Sequence, residues 1–337
     1  MHYLITGHTG FKGAWLSIWL KSLGHKVSGI ALDPAPGALY QIANVSKLLE
    51  NDLRFDIRNA EKVNNEIQKI SPDMVFHFAA QPLVRESYKN PRETFETNVF
   101  GTLNVVEAVS RCKSVRAHIV ITTDKVYRNV NQVIGYIEND PLGGEDPYSA
   151  SKAMADILTH SWISSFDSPP TAIVRAGNVI GGGDVSPDRL LPDLINAYSH
   201  GKKPTLRYPN SVRPWQHVLD CLNGYLLISE QLLTGTQVGE INIGPGAESF
   251  VTVEDLAKLV ASLYGVEGDW QLESQNQPHE AGLLALDATK ARSLLNWEDK
   301  LKFHQAVEWT VDWYKRLQSG ENALKITSDQ ISKYLDI

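Results

Sequence analysis

Over its first 175 residues the chain alternates short apolar runs with stretches that are apolar at helical spacing, and this constrains the fold more than any other feature. Residues 3–6, 27–32, 53–55, 74–78, 117–122 and 171–175 read as buried strands. Between them, Leu16, Trp19, Leu20 and Leu23 mark a helix stopped by Gly24, and Val63, Ile67 and Ile70 mark a second. Residues 94–110 and 149–165 read as two more helices. Strand–helix alternation predicts an α/β fold with a doubly wound parallel sheet. After Arg175 the pattern breaks at a Gly181-Gly182-Gly183-Asp184 stretch. Residues 1–175 are therefore expected to form a dinucleotide-binding domain carrying the catalytic residues. Residues 176–337 are expected to form mainly a smaller C-terminal α/β lobe, with some later strands rejoining the sheet. The 337 residues suit that division. The tail beyond Gly320 is polar and is expected to pack loosely.

Charge narrows the partners. With 39 acidic against 32 basic residues, the net charge of -7 disfavours nucleic acid or an anionic membrane surface. A phosphate-bearing ligand must then be held by individual lysines and arginines. Cys112 and Cys221 stand far apart, in neither a CxxC pair nor a metal-ligand spacing, which predicts a reduced, cytoplasmic setting and no metal. No stretch approaches the ~20 apolar residues of a membrane helix, and no leader pattern opens the chain, so a soluble protein is expected.

Two places carry chemistry. Gly7, Thr9, Gly10, Phe11, Lys12 and Gly13 lie between the first strand and the first helix. Glycines there allow a tight turn and close approach of a pyrophosphate to the helix N-terminus. Asp33, after the second strand, is placed to accept ribose hydroxyls and to repel a 2′-phosphate, although Lys12 opposes that preference. Asp56 and Ile57, after the third strand, are expected beside the adenine. Further along, Tyr148 and Lys152 are four apart at the start of a helix and share a face. A phenol with its ordinary pKa near ~10 is a poor base at neutral pH, and a neighbouring cation favours its phenolate. Thr123, Asp124 and Lys125 end the fifth strand, where an open α/β sheet places its ligands. A solvated Asp–Lys pair at a strand end is the bland alternative.

These segments together resemble the extended short-chain dehydrogenases/reductases, closest to the CDP-glucose 4,6-dehydratases among them. The carrying motifs are GHTGFKG (7–13), AAQPLVR (79–85), TTDKVY (122–127), DPYSASK (146–152), RAGNVIGGGD (175–184), DRLLPD (188–193), RPWQHV (213–218) and PHEA (278–281). The resemblance implies a Rossmann-like sheet, NAD as cofactor, a nucleotide-sugar substrate such as CDP-glucose, and deoxysugar biosynthesis for lipopolysaccharide O-antigen. In that chemistry Tyr148 takes the C4 hydroxyl proton with Thr123 bonding the same hydroxyl, and NAD+ accepts the C4 hydride. Asp124 and Lys125 then serve loss of the C5 proton and C6 hydroxyl, with the acid and base roles open between them. Motif position adds Ala79, Ala80 and Asn98 to the cofactor set, and Gln81, Ser87, Asn178, Arg189 and His279 to the substrate set. Arg213 joins the latter as a diphosphate ligand, because guanidinium pairs bidentately with phosphate. For Arg189 the alternative is a surface ion pair between Asp188 and Asp193, and Trp215 reads as core sooner than as a ring-stacking contact. His8 is bulkier than the small residue relatives carry there, an expected obstacle to the pyrophosphate.

Apolar residues on more than one face of the helices at 94–110 and 149–165, among them Phe95, Val99, Val106, Ile157, Leu158 and Trp162, predict a homodimer or homotetramer. The competing functions are a dTDP-glucose or inverting UDP-N-acetylglucosamine 4,6-dehydratase, a 4-epimerase and a non-catalytic NAD-binding sensor. The inverting dehydratases usually lack the tyrosine that stands at 148, epimerases need no Asp–Lys pair, and a sensor would have lost Thr123, Tyr148 and Lys152.

Overall fold

The computed structural model describes residues 1–132, 134–273 and 284–337. His279 and the PHEA segment lie outside the described residues. Seven parallel strands form the main sheet: β1 (His2–Thr6), β2 (Lys26–Ala31), β3 (Asn51–Arg54), β4 (Met74–His77), β5 (Ala117–Ile121), β6 (Thr171–Ala176) and β7 (Gly239–Ile243). Their order is β3-β2-β1-β4-β5-β6-β7. In register, Ile5 lies between Gly29 and Phe76. The strand order reverses at β1, so the chain leaves a crevice beyond the carboxyl ends of β1 and β4. β7, far beyond residue 176, completes the sheet beside β6.

The two faces bury different sets. Leu4, Ile30 and Val75 pack with Val63 and Ile67 of α2 (Ala60–Ile70) and with Val105 and Val109 of the helix Gly101–Arg111. Asn59 caps α2 by accepting the Lys62 N–H at 3.0 Å. On the other face, Ile5, Phe76, Ile119 and Ile241 pack with α1 (Phe11–Ser22) and with the helix Val218–Leu233.

The polar tail is not loose. Residues 323–335 form a helix whose Ala323, Ile326, Thr327, Ile331 and Tyr334 are buried. Tyr334 meets the Trp19 ring edge-on at 5.7 Å between centroids, and its hydroxyl donates to buried Asp220 at 2.8 Å. The positions i, i+3, i+4, i+8 and i+11 make one helical stripe, so the tail covers α1 and leaves that helix buried on nearly every side.

Candidate active site

Beyond the strand ends lies one cleft of about 870 Å³. It runs from the glycine turn, past Tyr148, to a far arm lined by Arg189, Arg207 and Arg213.

The glycine turn fits a dinucleotide. Gly7 has φ +78°, and a Cβ there would come within 2.7 Å of the Ala79 backbone nitrogen. A Cβ on Gly13 would lie 2.4 Å from the Gly7 carbonyl oxygen, so helix and strand touch backbone to backbone. Gly10 caps α1 with no side-chain hydrogen bond, which leaves first-turn N–H groups for an anion. The Thr9 hydroxyl donates to the Leu32 carbonyl at 3.0 Å and ties the turn to the end of β2. Phe11, Lys12, Asp56, Ile57, Ala79 and Ala80 also line the cleft. The Asp56 carboxylate is held by Arg58 at 2.9 and 2.6 Å.

Four cofactor-end expectations change. His8 does not obstruct the turn: it is fully buried on the far side, with Nε2 2.8 Å from Asp52. It fits because Gly29 opposite has no side chain; a Cβ there would lie 2.2 Å from the His8 ring. Burial lowers the pKa of that imidazole. Asp33 is exposed, two residues past the end of β2 and outside the cleft lining. Lys12 is directed inward, its ammonium 5.9 Å from the Phe78 ring centre and 3.3 Å from the Tyr225 hydroxyl, and burial lowers its pKa. Asn98 contacts no cleft space either. It lies in a π-helical turn, Glu96–Phe100, where its Oδ1 accepts the Gln81 N–H at 2.8 Å. Its Nδ2 donates to the Gln81 carbonyl at 3.1 Å and the Ser151 hydroxyl at 2.9 Å. It is a clamp that fixes the Ala79–Ala80–Gln81 backbone against the catalytic helix.

That helix, Pro147–Ser165, starts where its sequence dictates. Asp146 accepts the Ser149 N–H at 2.9 Å as the N-cap, and Pro147 takes the first position. Tyr148 and Lys152 follow on one face, both buried. Burial pushes the Tyr148 phenol up to about 12, with the Thr123 hydroxyl and the Arg189 charge opposing. Burial, aided by the Lys12 charge, brings Lys152 down to about 8. Lys152 donates to the Ile121 carbonyl at 2.8 Å rather than to the phenol. Lys152 is thus a neighbouring cation and not a bonded partner of the phenol, and burial alone leaves Tyr148 a weaker acid than a free phenol.

Thr123 ends β5 and caps a short turn, Asp124–Val126. Its hydroxyl donates to Asp124 Oδ1 at 2.8 Å. Asp124 is buried, and Gly177 makes room for it, since a Cβ there would lie 2.8 Å from Oδ2. Lys125 lines the cleft. Among the described residues the two form no ion pair with each other, so the bland strand-end pairing is not what holds them.

The substrate-end expectations divide. Asn178, Arg189, Arg213 and Trp215 line the cleft, and Trp215 is also core. Among the described residues Arg189 forms no ion pair with Asp188 or Asp193, and its charge opposes the rise of the Tyr148 phenol. Asp188 is taken by Arg85 and Arg207. Gln81 lines the cleft, but its side chain is spent locally: Nε2 donates to Thr94 at 2.8 Å and Oε1 accepts the Leu83 N–H at 2.6 Å. Ser87 is fully buried with its hydroxyl donating back to the Val84 carbonyl at 2.6 Å, so it faces away from any substrate. Arg85, Asp193 and Arg207 line the cleft as well; Asp193 ends the DRLLPD motif, whereas no motif in the sequence marks Arg207.

Comparison with known proteins agrees with this geometry. Residues 4–310 match the family described as GDP-mannose 4,6 dehydratase. The chain is 42% identical to the CDP-glucose 4,6-dehydratase of Salmonella typhimurium, over 98% of this chain and 95% of that protein. It is 28% identical to a dTDP-glucose 4,6-dehydratase of Xanthomonas campestris, over 93% and 92%. Among solved structures, the dTDP-glucose 4,6-dehydratase DesIV of Streptomyces venezuelae, determined with NAD bound, superposes with a TM-score of 0.83 at 24% identity, covering 96% of this chain and all of that one. The UDP-glucose 4-epimerase of Thermotoga maritima gives 0.82 at 23% identity, over 94% of this chain and all of that one. The chain belongs to the GDP-mannose 4,6 dehydratase family.

Proposed function

We propose that the protein is an NAD-dependent CDP-glucose 4,6-dehydratase, a hydro-lyase that converts CDP-D-glucose to CDP-4-keto-6-deoxy-D-glucose and water. The carrying observation is that Asp124 and Lys125 share one cleft wall with Thr123 and Tyr148. Oxidation and reduction at C4 need only the tyrosine and threonine. An added acid and base are what loss of water demands. The near full-length identity to a CDP-glucose 4,6-dehydratase favours that substrate over its dTDP and UDP counterparts.

Gly7, Gly10, Gly13 and the α1 N-terminus hold the pyrophosphate of NAD, and Asp56 with Ile57 border the adenine. When bound, NAD would supply the hydride acceptor and donor for C4 and C6 and a positive charge beside Tyr148. Tyr148 takes the C4 hydroxyl proton while Thr123 orients that oxygen. The new ketone acidifies the C5 proton, which leaves with the C6 hydroxyl to the Asp124/Lys125 pair. Lys152, fixed by the Ile121 carbonyl, keeps positive charge beneath the site. Arg189, Arg213 and Asn178 receive the nucleotide diphosphate.

The enzyme works as a homodimer in this reading. Phe100, Met154 and Ile157, on the two helices singled out above, are about half exposed (58%, 47% and 54%), whereas Val99 and Val106 are already covered. A cytoplasmic setting is supported by the two unpaired buried cysteines, and among the described residues no helix is long and apolar enough to cross a membrane. The product class belongs to deoxysugar biosynthesis for surface polysaccharide.

Incubation with CDP-, dTDP-, GDP- and UDP-hexoses tests the assignment. A 4-keto-6-deoxy product from CDP-glucose, formed at least tenfold faster than from the others, is expected. Equal or faster turnover of another nucleotide would overturn the substrate, and a 4-epimer product would overturn the reaction.

A further inference from the structure

Behind the catalytic side chains lies a buried ion pair with no part in the chemistry just described. Arg175 on β6 and Asp156 on the catalytic helix are both almost fully buried, and the guanidinium grips the carboxylate in a fork, Nε and Nη2 each at 2.8 Å. Both partners reach further. The Thr122 hydroxyl donates to Asp156 at 3.2 Å, and Arg175 Nη1 donates to the Tyr127 hydroxyl at 2.8 Å. Tyr127 in turn donates to Asn242 on β7 at 2.8 Å.

Thr122 and Tyr127 are the two ends of the segment that carries Thr123, Asp124 and Lys125. Asp156 lies one helical turn beyond Lys152 on the same face. One ion pair thus ties both ends of the elimination segment to the helix that carries the redox tyrosine. Removing charge from solvent this completely is costly, and breaking such a pair strands a buried charge, so its two fixed partners hold the elements they join in one geometry. We infer that Asp156 and Arg175, with Tyr127, are positioning residues that set the register of Asp124 and Lys125 against Tyr148. Their loss uncouples the first half of the reaction from the second. This rests on the dehydratase reading above.

The test uses Tyr127→Phe, which deletes one oxygen and keeps the ring, and Arg175→Lys, which keeps the charge and loses the fork. Each purified protein is given whichever nucleotide hexose the wild type turns over, so the wild-type reaction alone judges the substrate. Four readouts are taken: 4-keto-6-deoxy product, protein-bound reduced cofactor over the time course and at steady state, cofactor affinity, and amide hydrogen exchange of residues 122–127 and of the sheet in the free protein. Product formation should fall on the order of 10- to 100-fold, the loss expected for reacting groups displaced by about an ångström. The reduced-cofactor fraction should rise, exchange should quicken in 122–127 alone, and cofactor affinity should hold. If Arg175→Lys fails to fold, Tyr127→Phe carries the test by itself. Turnover, reduced fraction and local exchange all within twofold of wild type in Tyr127→Phe would overturn the inference. So would a matched fall of oxidation and product with exchange quickened throughout the sheet, the mark of a merely structural pair.

Discussion

The two arms of the cleft are built by opposite means. At the cofactor arm the walls are backbone: Gly7 against Ala79, Gly13 against Gly7, and the uncapped start of α1. At the far arm the walls are charged side chains that already hold one another, with Asp188 between Arg85 and Arg207, and Arg207 also 3.0 Å from Glu273. The first arm has one shape, fixed by sterics. In the proposed reading, the second trades one set of ion pairs for another when a diphosphate arrives. A recognition site for a constant cofactor tolerates no adjustment, whereas a site for a variable nucleotide sugar is made from replaceable contacts.

The largest effect should come from Tyr148→Phe, which stands where the arms meet. Neither reduced cofactor nor product should form above a rate about 10²- to 10⁴-fold below wild type, while cofactor still binds. Lys125→Met should instead let reduced cofactor accumulate with little 4-keto-6-deoxy product released. Stopped-flow absorbance at the reduced nicotinamide band separates them; unimpaired turnover in Lys125→Met would leave that lysine without a chemical role. Gly7→Ala tests the rigid arm directly. At φ +78° a Cβ is strained, and it would also strike the Ala79 backbone, which has no free rotamer to yield. Cofactor binding by calorimetry should be lost, or the protein should fail to fold; a normal dissociation constant would mean that the turn can open.

The same contrast governs what a reader of the sequence can recover. Six of the seven strands were legible as apolar runs, most because burial on both faces leaves them near-continuous, with boundaries within two residues, as at β4 (Met74–His77), whereas β7 was expected only as some later strand rejoining the sheet. The glycine turn and Tyr148–Lys152 were legible because backbone sterics and helical spacing are local rules. Contacts made across the fold were not. Nothing near His8 announces that Gly29, one strand away, will house its ring. Asn98 reads as a ligand by position, yet a π-helical turn aims it at the Gln81 backbone. The tail beyond Gly320 reads as polar by composition, but its buried stripe includes Thr327 and Gln330 beside Ile326 and Ile331, and the Thr327 hydroxyl and Gln330 Nε2 donate to the Ala323 and Trp309 carbonyls within the helical layer. Arg207 and Asp188 come together only after two segments fold over the strand ends.

Burial of Lys152 gives a pH-dependent prediction of intermediate size. Its pKa falls from 10.5 to about 8 in the folded protein. Between those values the unfolded chain holds more protons than the native one, so this group makes stability rise with pH from about 8 to about 10.5 and imposes its full penalty below 8. The shift corresponds to roughly 3 kcal/mol in the ligand-free protein. Lys152→Met should therefore be inactive yet more stable at pH 7 by up to that amount, less the lost bond to Ile121. Its advantage should shrink as pH approaches 10, where the phenols begin to titrate. Urea melts of the cofactor-free proteins at pH 7, 8.5 and 9.5 decide it: a variant less stable at every pH would mean the ammonium–carbonyl bond outweighs desolvation.

The smallest effect should come from the adjustable arm. Asp188 is a non-glycine residue at φ +60°, and it neutralises two guanidiniums that line the cleft. These pairs are partly solvated, so removing the carboxylate should change folding stability by no more than about 1 kcal/mol. Its larger consequence is on binding. If Asp188 holds Arg85 and Arg207 until the diphosphate displaces it, Asp188→Ala removes that shared carboxylate while Arg207 keeps Glu273, and should lower KM about two- to fivefold with kcat unchanged, the signature of a contact felt equally in ground and transition states. Arg207→Ala should raise KM by a similar factor and also leave kcat alone. Salt should weaken both effects, because exposed charges are screened over about 8 Å at physiological ionic strength. A rise of KM in Asp188→Ala would instead make the carboxylate a direct ligand of the substrate's ribose or base. A fall of kcat in either variant would mean that this arm is coupled to Tyr148 through Arg189, and that the two arms are less separable than their construction implies.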